Sequence, residues 1–395
     1  MIGAKGGKDA GPAEGAALSG PGDVRLSRWH ALGNVYAVAP GELTRGAATQ
    51  LALGIDGVVE ILRSGGDWIE VRIWNPDGSV AEMSGNATRI AARWLANRTG
   101  ADRVTVRVGP RLVHARMLGG AEVEQQLGEI RVGAPDVVDG IAFTPVDVGN
   151  PHAVVVGDPD DLPALGPRLE TNLRFPERTN VQVVRVDRPG RVTARVWERG
   201  VGETASSGTS AVAAAAATHG EGEVVVGFPG GELTVRLEGG RATLIGPASP
   251  LRVPRQVLVY VHRAGPEFLL LERTLAHGGF WQGVSGAPEW GEADDNAARR
   301  ELFEETGLAA SPSRIGFRYD LRPAGRDWVE LYGPGVETVP EEVYAVAAPR
   351  DWQPALDPQE HVAHRWCLLD EALSLLRWED SRQALKVVAR ALGPG

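Results

Sequence analysis

Cysteine is nearly absent: Cys367 is the only one in 395 residues. One thiol closes no internal disulfide and builds no cysteine-based zinc cluster. The scarcity accords with a reducing compartment, and a cytoplasmic location is expected. Long apolar runs are missing too. The longest stretch of small apolar side chains, Ala211 to Ala217, falls far short of a bilayer span, and the N-terminus has no apolar signal core. Membrane-spanning and secreted classes are disfavoured. Nor is there an excess of positive charge. Lys+Arg number 41 against 51 Asp+Glu, a formal charge of −10. Nucleic acid and anionic membranes, which select excess cations, are not expected partners. What is present is ordinary globular composition, 43% hydrophobic and 23% charged. That excludes a largely disordered or fibrous chain, and the length suggests two or three domains.

Residues 1–22 hold seven glycines and almost no large apolar side chain, so a disordered tail is expected there. From 23 to about 250 the pattern is short strands and tight turns. Ile69–Ile73, Val104–Val108 and Leu233–Leu237 alternate apolar and polar residues and read as half-buried strands. Only Ala87–Asn97 and Ser210–Thr218 read as strongly helical. Each follows a Ser-Gly-polar step, Ser84-Gly85-Asn86 and Ser207-Gly208-Thr209, 123 residues apart. Two copies of one mostly-β unit with an inserted helix, lobes of about 23–138 and 139–250, explain the repeat. A Pro-rich joint follows, with a linker expected at 251–254. Residues 255–393 then read as an α/β domain: strands at Val257–Val261 and Phe268–Leu271, a Gly-rich loop, a helix at Asp294–Thr306 and a terminal helix near Ser381–Leu392.

The stretch Gly286 to Leu308 carries the clearest chemistry. Glu301, Glu304 and Glu305 lie at i, i+3 and i+4, so they share one helix face. Three like charges there repel, and a hard divalent cation removes the penalty. Arg300 can orient one of the carboxylates, and Gly307 supplies the helix stop. With Gly286, Glu292 and Leu308 at their spacings, this segment resembles the Nudix signature. The resemblance implies an α/β/α sandwich and hydrolysis of a diphosphate-linked substrate with magnesium, or manganese in its place. The flanks Phe280 to Gly286, Glu360-His361, Arg365-Trp366 and Ser381 to Leu385 resemble the dihydroneopterin triphosphate diphosphatases. That likeness makes Glu360 a further metal ligand or water-activating base. It makes Trp281 a platform for a base or pterin, with core packing as the alternative.

Residues 23–250 carry a second set of blocks. They are His30 to Asn34, Asn75 to Asn86, Gly149 to His152, Arg178 to Asn180, Glu198 to Thr209 and Gly246 to Ala248. In this order they resemble diaminopimelate epimerase, whose fold has two pseudo-symmetric halves. The resemblance implies cofactor-free proton transfer between two facing cysteines. Both matching positions here are serine, Ser84 and Ser207. A hydroxyl is a far weaker acid than a thiol. The binding positions are better kept. Asn34, Asn75, Asn86, Asn150, Asn180, Glu198 and Arg199 match substrate contacts, and Gly85-Asn86 and Gly208-Thr209 open helices whose N-termini favour a carboxylate. His152 and Glu198 match residues near the thiols.

The expectation is an α+β two-domain chain. A Nudix hydrolase cleaves a nucleoside or pterin triphosphate to the monophosphate and pyrophosphate. An epimerase-like, amino-acid-binding domain impaired in racemisation precedes it. Two alternatives stay open: the Ser84/Ser207 pair still isomerises an amino acid, aided by His152 or Glu198, or ligand binding in the first domain tunes the second. The expected partners are small molecules, a triphosphate and an amino acid such as diaminopimelate. The chain is expected to be a monomer or homodimer.

Overall fold

The computed structural model describes residues 25–264, 267–322, 327–333 and 335–393, so the tail expected over 1–22 lies outside the described residues. Two compact units divide between Pro250 and Leu251.

The first unit is built twice over. In its first half Asn34–Pro40 runs parallel to Gly57–Ser64, which is antiparallel to Trp68–Trp74, itself parallel to Arg103–Val108. In its second half Pro151–Val156 runs parallel to Asn180–Arg188, which is antiparallel to Arg191–Glu198, itself parallel to Gly222–Phe228. The same sequence of pairings recurs, which gives the two-fold repeat its structural meaning. In each half a short strand, Val80–Ala81 or Gly202–Thr204, leads into a helix. Glu122–Glu129 of one half and Arg241–Pro247 of the other pair with each other antiparallel.

The helices Gly85–Thr99 and Gly208–Thr218 form the axes of this wrap. Gly208 to Ala216 are all buried. A run of alanines suits that position because small side chains let strands approach from every side. The core joins Ile90, Leu95 and Val212 to Val106, Leu233 and Leu244 of the sheet. Both helices begin at the same place. A Cβ on Gly85 would lie 3.0 Å from Gly208 Cα, so neither glycine tolerates a side chain.

The second unit is a mixed sheet between helices. Gln256–Arg263 pairs parallel with Val339–Ala347, and Glu267–Arg273 pairs antiparallel with His361–Leu368. Alternation along the strands divides the core. Val257, Val259 and Val261 meet the helix Asp294–Thr306, while Leu258 and Tyr260 meet the helices Leu369–Leu375 and Glu379–Leu392. Gly307 ends the first of these helices in a left-handed conformation, its N–H bonding Phe303 O at 2.8 Å. Leu251 and Val253 are buried, and the Leu251 carbonyl accepts from the Trp290 indole at 2.8 Å.

Candidate functional sites

In the second unit the helix Asp294–Thr306 presents Glu301, Glu304 and Glu305 beside a loop fastened to it by Arg300. The Arg300 guanidinium donates to Glu292 at 2.9 Å, to Glu301 at 2.8 Å, to Glu304 at 2.9 Å and to the Ala287 carbonyl at 3.1 Å. One planar cation thus ties the loop to two helix carboxylates. Glu301 lies over Gly286, where a Cβ would collide with its carboxyl group. Desolvation pushes Glu301 up to about 7, with Arg300 opposing and Glu305 and Glu304 adding repulsion.

Glu305 is 3% exposed. Its carboxylate meets His361 Nε2 at 2.9 Å and accepts from the Ser285 backbone N–H at 3.4 Å. Burial raises its pKa, against the pull of His361. Glu360 stands next to this pair, 3.8 Å from the Arg273 guanidinium. Glu305, Glu360 and His361 each bring a ligand atom within 4.8 Å of the others, an arrangement able to hold a metal ion. His361 Nδ1 is buried and has no partner among the described residues. Sequence reasoning named His361 beside Glu360 and gave a role to Glu360 alone. Trp281 is half-buried against the core shared with Leu369–Leu375 and Glu379–Leu392, and Arg365 lies over its ring at 5.6 Å.

In the first unit a cavity of about 280 Å³ brings together Asn75, Ser84, Asn150, Asn180, Glu198 and Arg199, with Tyr36, Asp56, Glu82 and Thr204 also on its wall. The Arg199 backbone N–H donates to Asn180 Oδ1 at 3.0 Å, and the Arg199 guanidinium lies 3.5 Å from Glu82. Asn75 Nδ2 donates to Ser79 Oγ at 2.9 Å, and Asn150 Nδ2 reaches Thr209 Oγ1 at 3.5 Å.

The other expected contacts, Asn34, Gly85, Asn86, Gly208 and Thr209, do not line this cavity, and neither does Ser207. Asn34 and Asn86 are buried, and both donate to the Ser206 carbonyl, fixing the turn ahead of Ser207. Asn86 Oδ1 also accepts from Arg89 at 2.7 Å. His152 is enclosed as well. Gln182 Nε2 donates to its Nδ1 at 3.0 Å, which leaves Nε2–H for Asn150 Oδ1 at 2.9 Å. Burial above all holds its pKa down at about 3, so the ring is neutral.

The serines cap the two helices. Ser84 Oγ accepts from Ala87 N at 3.2 Å and meets the Tyr36 hydroxyl at 3.2 Å. Ser207 makes no side-chain cap bond, and its hydroxyl lies near enough to Glu198 to oppose the rise of that carboxyl's pKa. Glu198 accepts from Thr204 Oγ1 at 2.7 Å. Desolvation raises Glu198 to about 7 despite this bond. Tyr36 escaped sequence reasoning because an aromatic within an apolar strand reads as core.

A family model described as diaminopimelate epimerase matches residues 144–249, and one described as NUDIX domain matches 252–389. A diaminopimelate epimerase of Corynebacterium glutamicum strain R is 32% identical over 266 residues, covering 57% of this chain and 95% of the relative. That of Thermobifida fusca is 37% identical over 263 residues, covering 57% of this chain and 95% of the relative. The solved E. coli dihydroneopterin triphosphate pyrophosphohydrolase aligns with a TM-score of 0.31 at 26% identity, over 35% of this chain and 98% of its own.

Proposed function

The chain belongs to the diaminopimelate epimerase family through its first unit and carries a NUDIX domain as its second, and on that premise we propose a Mg²⁺-dependent hydrolase fused to an amino-acid-binding domain impaired in racemisation. The second unit cleaves a nucleoside or pterin triphosphate to the monophosphate and pyrophosphate. The observation that carries this reading is the carboxylate cluster: Glu301, Glu304 and Glu305 on one helix face, with Glu360 and His361 against Glu305. Hard oxygen donors kept short of cations suit magnesium, with manganese as a substitute. Glu301, Glu304, Glu305 and Glu360 would hold it, and when bound it supplies neutralisation of the phosphate charge. Arg300 keeps Glu301 and Glu304 oriented, and Glu360 stands where it can take a proton from an attacking water. The dihydroneopterin triphosphate preference rests on the sequence likeness of the flanks.

The test is pyrophosphate release from dihydroneopterin triphosphate and the dNTPs, with and without Mg²⁺. Glu304→Gln is expected to lower the rate at least about a hundredfold. An unchanged rate removes Glu304 from the site, and no Mg²⁺-dependent release from any triphosphate rejects the reading.

A second reading, that the first unit still isomerises an amino acid, is favoured by one observation: the Glu198 carboxyl stands on the cavity wall with Ser84.

A further inference from the structure

Glu198 and Arg199 stand side by side on the cavity wall, and the residues before and after them are tied to one carboxylate. The Trp197 indole donates to Glu170 Oε2 at 2.7 Å, and the Gly200 backbone N–H donates to Glu170 Oε1 at 2.8 Å. Glu170 ends the helix Leu162–Glu170 and is buried. One turn earlier Gly166 lies against the Trp197 ring. A Cβ there would come within 2.8 Å of the ring, so the missing side chain lets the helix close on the indole. The segment 178–180 braces the same span twice. The Arg178 guanidinium lies 3.4 Å from Glu170, and Asn180 Oδ1 accepts from the Arg199 backbone N–H at 3.0 Å.

The first half has the matching anchor without the clasp. Trp74 stands 123 residues before Trp197, the spacing of Ser84 and Ser207. Its indole also ends on a buried carboxylate, Glu60 Oε2, at 2.8 Å. The other bonds to Glu60 come from the Leu43 backbone N–H at 2.9 Å and from Arg72 at 3.1 Å, residues that precede the turn after Trp74. Asn75, which opens that turn, bonds to Ser79 through both its backbone and its side chain. Anchoring a buried indole therefore does not require the carboxylate to reach the next turn. In the second half it does reach, and the residues it spans are Glu198 and Arg199.

We infer that Glu170 is a positioning residue of this cleft: it clasps the backbone on both sides of Glu198 and Arg199 and so fixes where their side chains meet a bound amino acid. The inference rests on reading the cleft as an amino-acid site. Each Glu170 oxygen takes one of the two N–H groups, so both oxygens are needed at once. Glutamine keeps the size but sets an NH₂ group against one of those donors and breaks that bond. Losing a bond to a buried charged group frees the span, and the cost of ordering it again is subtracted from ligand affinity.

The test makes two measurements on the full chain. Hydrogen–deuterium exchange without ligand follows the backbone of 198–202 in wild type, Glu170→Gln and Trp197→Phe. Calorimetric titration with each diaminopimelate stereoisomer and the common L- and D-amino acids finds the compound that wild type binds most tightly, and its affinity is compared across the variants. Glu170→Gln is expected to speed exchange over 198–202 and to weaken binding, each at least about tenfold, while the helix Gly208–Thr218 exchanges as in wild type. Trp197→Phe removes one bond and leaves the carboxylate. It should move both readings the same way by at least about threefold, and it decides the matter if Glu170→Gln does not fold. Both readings are taken on folded protein, so a loss of global stability alone moves neither. Unchanged exchange over 198–202 in Glu170→Gln overturns the clasp. Faster exchange with unchanged affinity makes Glu170 a structural anchor and overturns the positioning role. No binding of any compound by wild type rejects the amino-acid reading of the cleft, and the role of Glu170 there with it.

Discussion

Replacing Glu198 with glutamine is expected to make the first unit more stable above neutral pH. Desolvation lifts this carboxyl from an ordinary 4.5 to about 7. The folded state therefore keeps a proton that the unfolded chain has already released. The stability tied to that proton is complete below about pH 4.5 and is lost as pH rises through about 7. From 4.5 to about 7, at ~1.4 kcal/mol per pH unit, the loss is about 3 kcal/mol. The side chain is half-buried, and solvent screening trims this to about 2 kcal/mol. Glutamine keeps the shape, offers its carbonyl to Thr204 Oγ1 and never ionises. The variant should match wild type near pH 4.5 and exceed it by about 2 kcal/mol at pH 8. Urea unfolding of the full chain at the two pH values, following the first unit's transition, measures the difference. A variant no more stable at pH 8, or one stabilised equally at both pH values, refutes the argument.

Two further outcomes follow from the same contacts. The double change Ser84→Cys, Ser207→Cys places thiols at two helix N-termini, which lower thiol pKa, and should let chiral chromatography detect inversion of diaminopimelate; each single change should give much less. A double variant that binds diaminopimelate without inverting it would show that the cleft no longer holds the α-carbon between the two positions. Gly286→Ala sets a methyl against the Glu301 carboxyl, and at least about a tenfold loss of triphosphate hydrolysis is expected; a wild-type rate would show that Glu301 has room to move.

Much of the second unit was legible because its signals are local. The helix Asp294–Thr306 has the bounds that its acidic first turn and the following Gly307 indicate, and i, i+3, i+4 spacing suffices to place three carboxylates together. The strands Ile69–Ile73 and Leu233–Leu237 fall inside observed strands for the same reason. What escaped is long-range. No periodicity distinguishes Asn34 and Asn86, turned inward to hold Ser206, from Asn75 and Asn150 on the cavity wall. The partner of Ser84 comes from a strand 48 residues earlier, and the partner of Glu305 lies 56 residues later. A sequence carries both residues and leaves the contact to the fold.

The two sites begin from one physical device and end in different chemistry. Each holds a carboxyl near 7 by taking it out of water: Glu301 in the second unit and Glu198 in the first. What surrounds each then decides its use. Glu301 sits among carboxylates with one guanidinium, Arg300, shared between it, Glu292 and Glu304. The negative charge there exceeds what one cation balances, which suits the set to a divalent ion. Glu198 accepts from the Thr204 hydroxyl, which adds no charge, and the nearby Asp56 carboxyl opposes its ionisation. Its charged form is stabilised only in part, and proton gain stays within reach at neutral pH. A carboxyl in that state is a base. Ser84 on the same wall offers a hydroxyl, a far weaker acid than a thiol, so a proton taken up near neutral pH goes to the Glu198 carboxyl in preference to the serine.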